Sequence, residues 1–218
     1  TKWIAESAKM TAETYDPTLT LVYLPHLDYN FQRLGPDDPA IQKDLNEIDD
    51  VCRDLIEFHE QRDTRVLLLS EYGIDSVNQP VSLNRVLREH GYITVREEKG
   101  GEILIPGSSQ AFAVADHQIA NIYIRESSEI PKVKKILKEV PGVDKVLDEE
   151  GKKEAGLNHE RSGELIAIAE SNAWFTYYYW LDDDKAPDFA PTVDIHTKPG
   201  YDPAELLVDS AIRFPMAK

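Results

Sequence analysis

Two unbroken apolar runs, residues 18 to 24 (Thr-Leu-Thr-Leu-Val-Tyr-Leu) and 65 to 70 (Arg-Val-Leu-Leu-Leu-Ser), flank one long amphipathic stretch, and this order constrains the fold more than any other feature of the chain. Short apolar runs that stop at turn residues, with no alternation, read as strands covered on both faces. Between them, residues 39 to 62 place Ile41, Leu45, Ile48, Cys52, Leu55 and His59 near one side of a helix. Strand, long helix and strand form a crossover unit, which brings both strand ends to the same edge of a parallel sheet. The expected class is α/β, a mostly parallel sheet flanked by helices. Asp28 follows the first run and Glu71 the second. Open α/β sheets bind ligands beyond the carboxyl ends of their strands, so these two carboxylates are the first site candidates.

Turn residues divide the remainder. Residues 2 to 13 read as a short helix, and 83 to 90 as another that stops near Gly91. Tyr92 to Glu97 and Glu102 to Ile105, either side of Lys99-Gly100-Gly101, read as a hairpin. Strand-like runs at 111 to 115 and 119 to 124, a helix opening at Pro131 and a run at 143 to 147 follow. Residues 92 to 150 are therefore expected to form a small α+β insertion. The core sheet with its site loops is expected in 1 to 91 and again in 151 to 218. That last part carries a strand at 164 to 169, an aromatic cluster at 174 to 180 that reads as core, and a Pro-rich loop with Asp194, His196 and Lys198.

Forty acidic residues against 24 basic ones give a net charge of −16, which repels polyanions and argues against a nucleic-acid polymer as partner. A small phosphate ester remains compatible, provided clustered carboxylates hold a divalent cation that supplies local positive charge. Cys52 is the single cysteine, so the chain holds no disulfide framework or thiolate metal site, and Cys52 reads as a small buried apolar residue. No run approaches the roughly 20 apolar residues of a bilayer span, and no leader pattern is visible. A soluble protein in the cytoplasm is the expectation. The start at Thr1 rather than Met adds the expectation of an upstream segment.

Asp28 with Gln32 and Gly35-Pro36, then Ser70-Glu71-Tyr72-Gly73, then a late His196 before Pro199-Gly200-Tyr201 stand in the order of the metal-ligand blocks of the alkaline phosphatase superfamily. The chain resembles the C-terminal portion of its type I phosphodiesterase/nucleotide pyrophosphatase branch, over about residues 18 to 75 and 155 to 205. There the first block looks like Asp-x-x-Gly-His, the second like Ser-Asp-His-Gly, and the third is a lone His. The resemblance implies an alkaline-phosphatase-like sheet and metal-dependent hydrolysis of phosphodiester, pyrophosphate or phosphomonoester bonds. It implies one metal at Asp28, Gln32 and His196, and a second at Glu71 and Tyr72. Zinc is the metal by resemblance. Gln32, Glu71 and Tyr72 replace His, Asp and His of the pattern, and the resulting oxygen-rich set suits Mg or Mn better. The Ser or Thr nucleophile is expected upstream of Thr1, so the chain alone is expected to be inactive, with the missing N-terminal segment of the same protein as its partner. His26 and Tyr29 beside Asp28, and His117 further on, are candidates for contacting the substrate, and Arg161 for pairing with a phosphate.

Each candidate has a plainer reading. Asp28 and Glu71 serve equally as helix caps or loop acids. Tyr72 is a poor ligand while its phenol is neutral, and reads more simply as a packed or hydrogen-bonding aromatic. Gln32 reads as a loop hydrogen-bonder, His59 and His90 as ordinary helix histidines. These readings define a second function class, a non-catalytic member of the same fold that binds a small anion or a partner.

Overall fold

Two units, Thr1–Ser76 and Val77–Lys218, make up the computed structural model, in which residues 1–187 and 190 are described. The first unit rests on α1 (Lys2–Tyr15), α2 (Asp28–Leu34) and α3 (Ile41–Glu60). The periodicity of α3 buries Ile41, Val51 and Leu55, leaves Cys52 half-buried and leaves Leu45 39% exposed. Ala5 and Ala8 of α1 pack against Val51 and Leu55, joined by Val22 and Leu24. Small residues at such a contact let two helices approach closely. Lys9 Nζ of α1 lies 2.7 Å from Asp54 Oδ2 of α3. The helix α1 stops where Asp16 turns to a left-handed φ of 41° and its N–H closes on the Ala12 carbonyl.

The two apolar runs depart from expectation. Neither 18 to 24 nor 65 to 70 joins a ladder among the described residues. In the first run Thr20, Val22 and Leu24 are half-buried, while Leu19, Leu21 and Tyr23 are 74%, 86% and 67% exposed. The segment thus alternates, with one face on the helices and the other open, instead of being covered on both. In the second run Leu67, Leu68 and Leu69 are all exposed. The physical reason is that a strand needs a neighbour for its N–H and C=O groups, and no described segment supplies one.

The second unit contains β1 (Gln79–Val81), α4 (Leu83–Glu89), β2 (Val95–Glu98), β3 (Gly101–Leu104), β4 (Ala111–Asp116) and β5 (Ile119–Ile124). After these come α5 (Ile130–Lys138), β6 (Val143–Leu147), α6 (Glu149–Glu154), β7 (Leu165–Ala169) and β8 (Ala173–Phe175). The sheet order is β4-β5-β7-β6, antiparallel at every junction. β1 and β8 form a parallel pair. The α/β class is as expected, although among the described residues parallel pairing is confined to that pair. β7, expected with the returning core, lies between β5 and β6 of the region expected as an insertion. Its Leu165 and Ala167 share a core with Ile122, Val133, Leu137 and Phe175; alternate residues of β4 and β5 bury as a one-sided sheet requires, while β7 buries Leu165, Ile166, Ala167 and Ala169. β2 and β3 form the expected hairpin, with Glu98 opposite Gly101. Lys99 and Gly100 both take left-handed φ, 52° and 85°, the two-residue turn whose twist matches its strands. No described helix is long and apolar enough to cross a membrane.

One glycine sets how closely the chain entering β7 approaches β5. A Cβ on Gly163 would lie 2.3 Å from the Ile122 carbonyl oxygen and 2.6 Å from its carbon, both backbone atoms of a central strand. Neither can yield without breaking the ladder. Gly163→Ala is expected to cost about 3 kcal/mol, the upper range for overpacking, read as a lower denaturation midpoint with an unchanged slope.

Candidate functional site

The loop that follows the first apolar run delivers its polar side chains through a helix start. α2 opens on Asp28 itself, where a carboxylate is favoured by the unpaired N–H groups of the first turn. One helical turn on, Gln32 donates from Nε2 to Asp28 Oδ1 at 2.9 Å, the i, i+4 spacing that brings side chains together on one face. Tyr72 donates from Oη to the same oxygen at 2.7 Å, although 44 residues separate the two in the chain. The two blocks singled out in the sequence therefore meet at one carboxylate oxygen.

Charge fixes the state of that cluster. The hydrogen bond to Asp28 and then burial push the Tyr72 phenol well above its usual value, with the nearby charges of Asp28 and Glu71 adding to the effect. Tyr72 therefore stays a neutral donor at physiological pH. Its backbone carbonyl accepts from Ser70 Oγ at 2.7 Å, which ties down the turn that carries it. Gln32 Oε1 is buried and has no hydrogen-bond partner. A buried acceptor without a donor carries a cost of about 1–3 kcal/mol, so this oxygen is the open valence of the cluster. Glu71 is exposed, and Tyr29 is 63% exposed.

His26, on the other side of Leu27 from Asp28, has a side chain only 17% exposed. Its Nδ1 lies 2.9 Å from Thr1 Oγ1, and its buried Nε2 has no hydrogen-bond partner. Two acids of α3 flank that nitrogen, Asp44 Oδ1 at 3.9 Å and Glu47 Oε2 at 3.8 Å. Asp44 and Glu47 were not among the sequence candidates. The available signal was their spacing of one helical turn on the helix that follows the Asp28 loop.

His117 belongs to the second unit, in the tight turn between β4 and β5 with φ 53°. Its carbonyl accepts from Phe175 N–H at 2.7 Å, and its Nε2 lies 3.6 Å from Asp116 Oδ1. Arg161 N–H donates to His159 Nδ1 at 3.1 Å, and an open pocket nearby is lined by Asp148, Glu149, Glu160 and Glu164. Its one lysine, Lys152, is buried and donates to the Gly163 carbonyl at 2.8 Å, so the pocket offers an anion little. His196, with Asp194 and Lys198, lies outside the described residues.

Residues 1–202 match the sequence profile of the type I phosphodiesterase / nucleotide pyrophosphatase family. No curated protein matches the sequence significantly. Among solved structures, murine ectonucleotide pyrophosphatase/phosphodiesterase 5, an inactive form in complex with AMP, aligns with a TM-score of 0.57 at 17% identity, over 82% of this chain and 45% of that one. The human counterpart gives a TM-score of 0.55 at 17% identity, over 80% and 44%. Phosphonoacetate hydrolase from Sinorhizobium meliloti, in complex with phosphonoacetate, gives 0.52 at 14% identity, over 81% and 42%. These likenesses are likenesses of fold, and this chain spans less than half the length of each.

Proposed function

We propose, on the premise that this chain belongs to the type I phosphodiesterase / nucleotide pyrophosphatase family, that it forms one wall of a metal-dependent site hydrolysing phosphodiester, pyrophosphate or phosphomonoester bonds. The observation that carries the reading is the convergence on Asp28: Gln32 and Tyr72 reach one oxygen of its carboxylate, and Gln32 Oε1 is left buried and unpartnered beside it.

The residues present fit a divalent cation of the hard kind. Asp28 offers carboxylate oxygen, Gln32 an amide oxygen that lacks a donor, and Glu71 a second carboxylate; oxygen sets of this sort suit Mg or Mn. Zinc would rely on an imidazole, which by resemblance His196 supplies. When bound, such an ion supplies positive charge that activates a nucleophile and neutralises the transferring group. The protein's own groups do the positioning. Gln32 and Tyr72 fix the orientation of Asp28 by donating to Oδ1, and Tyr72 holds its proton at Oη throughout, so it orients the carboxylate without competing as a charged ligand. Tyr29 stands as a substrate contact on this reading. The AMP and phosphonoacetate held by two structural relatives support a small phosphate-like anion as the substrate class.

The nucleophile on this reading is a Ser or Thr in a segment preceding Thr1. The exposed faces of Leu19, Leu21 and Tyr23 and of Leu67 to Leu69 support such a partner, because apolar segments that find neither a ladder nor a cover among the described residues are stabilised by added strands and helices. The test is hydrolysis of bis(4-nitrophenyl) phosphate by the longer polypeptide, after chelation and readdition of Mg, Mn or Zn. Saturable, metal-restored turnover is expected there and none from the 218-residue chain. Absence of turnover with every metal would instead favour the non-catalytic reading, which draws on Asp28 Oδ1 being already satisfied by two donors.

A further inference from the structure

We infer that His26, Asp44 and Glu47 form a second cation site, separate from the Asp28 cluster, which takes a transition-metal ion of the zinc or cobalt kind and pins the 25 to 27 loop to α3. Among the described residues these three are the one group of His, Cys, Asp or Glu whose donor atoms all lie within 4.8 Å of one another. The distances from His26 Nε2 to the two carboxylate oxygens are 3.9 Å and 3.8 Å, too long for direct hydrogen bonds. Donors bound at about 2.0–2.2 Å in a tetrahedral shell stand about 3.4 Å apart. Closure by a few tenths of an ångström brings each carboxylate to that spacing from the imidazole.

Three further features separate this group from a chance meeting of acids. The Nε2 atom is buried and has no partner, although it points between two carboxylates. The other ring nitrogen, Nδ1, already meets Thr1 Oγ1 at 2.9 Å, the arrangement in which ligating imidazoles are held by their second nitrogen. Asp44 is oriented in the same way, since Asn30 Nδ2 donates to its Oδ2 at 2.7 Å and leaves Oδ1 toward His26. The side chains of His26 and Asp44 are only 17% and 14% exposed. Glu47 is 41% exposed and also lies 3.8 Å from Lys43 Nζ, so it is the ligand free to swing inward and the side from which an ion enters. One imidazole with two carboxylates selects zinc, cobalt or manganese over magnesium. This site does not rest on the hydrolase reading, because its ligands bond to Thr1 and Asn30 while Asp28 is bonded by Gln32 and Tyr72.

The test is binding, not turnover. The 218-residue chain, freed of metal by chelation, is titrated with zinc by calorimetry, and with cobalt by visible absorption, whose bands report low-symmetry nitrogen and oxygen ligation. One equivalent is expected to bind to the Asp28→Asn variant, in which the other proposed cation site is disabled, with affinity reduced at least tenfold when Asp44→Asn and Glu47→Gln are added. His26→Gln, which removes the imidazole and no carboxylate, is expected to give the same loss, and it decides the matter if the double variant fails to fold by circular dichroism. No saturable binding, or binding that survives both His26→Gln and the double variant, overturns the site. Binding lost with Asp28→Asn also overturns it and assigns the ion to the Asp28 cluster.

Discussion

On the proposed hydrolase reading, Asp28→Asn in a polypeptide that includes the segment proposed to carry the nucleophile is expected to lower kcat/KM for bis(4-nitrophenyl) phosphate at least about 100-fold, as removal of one preorganised electrostatic group does in other hydrolytic sites. The substitution keeps the shape of the side chain and its place in the first turn of α2. As a helix-start acid alone Asp28 contributes about 0.3–1 kcal/mol, so the fold survives its loss and the melting temperature moves by only a few degrees. Tyr72→Phe separates positioning from ligation. It removes one of the two donors to Oδ1 and leaves the carboxylate in place, so a loss of several-fold at most is expected, carried in kcat rather than KM. The hydrolase reading fails if Asp28→Asn retains activity within a factor of about three while the Glu71→Gln variant is equally active.

How much of this was legible in the sequence depended on whether the deciding contact was local. The Lys99-Gly100 turn and the periodicity of α3 were readable because their causes lie within a few residues, a left-handed φ pair and an apolar stripe. The Asp28 and Tyr72 blocks were readable as ordered motifs, and the structure joins them through one carboxylate oxygen. Three things were not readable. Runs 18 to 24 and 65 to 70 have strand composition, yet a ladder belongs to pairs of segments, and the described chain supplies no partner. The place of β7 between β5 and β6 depends on Gly163 permitting a backbone contact that no periodicity encodes. Asp44 and Glu47 read as ordinary solvent-side acids of an amphipathic helix until His26 is placed beside them. His26 has its buried Nε2 beside those acids, a placement that no local pattern encodes.

The largest stability effect is expected where the second unit buries a charge. Glu102 of β3 is gripped at both carboxylate oxygens by the Arg88 guanidinium of α4, with Nη2 to Oε1 at 2.7 Å, and the two side chains are only 17% and 9% exposed. Arg88 Nη1 also donates to the Tyr179 carbonyl at 3.2 Å, and Tyr179 Oη returns to the Glu102 carbonyl at 2.9 Å. The pair thereby links the hairpin, α4 and the aromatic segment in one network. Arg88→Met leaves an unpaired buried carboxylate and is expected to cost about 3–5 kcal/mol at neutral pH, whereas replacing both partners by apolar residues recovers most of that. The pH dependence has a definite sign. Arg88 holds the Glu102 carboxyl below its usual value despite burial, so the stability it contributes is present above the unfolded glutamate value of about 4.3 and is lost as pH falls through the lower folded value. Without Arg88, burial alone raises the folded value, and protonation relieves the variant as the medium turns acid. The gap between wild type and Arg88→Met is therefore expected to be widest near neutrality and to narrow steadily below about pH 4. Denaturant unfolding followed by Trp174 and Trp180 fluorescence, at both pH values, measures it. A gap under about 1 kcal/mol at neutral pH, or one that acid leaves unchanged, would show that Arg88 and Glu102 are held by solvent rather than by each other.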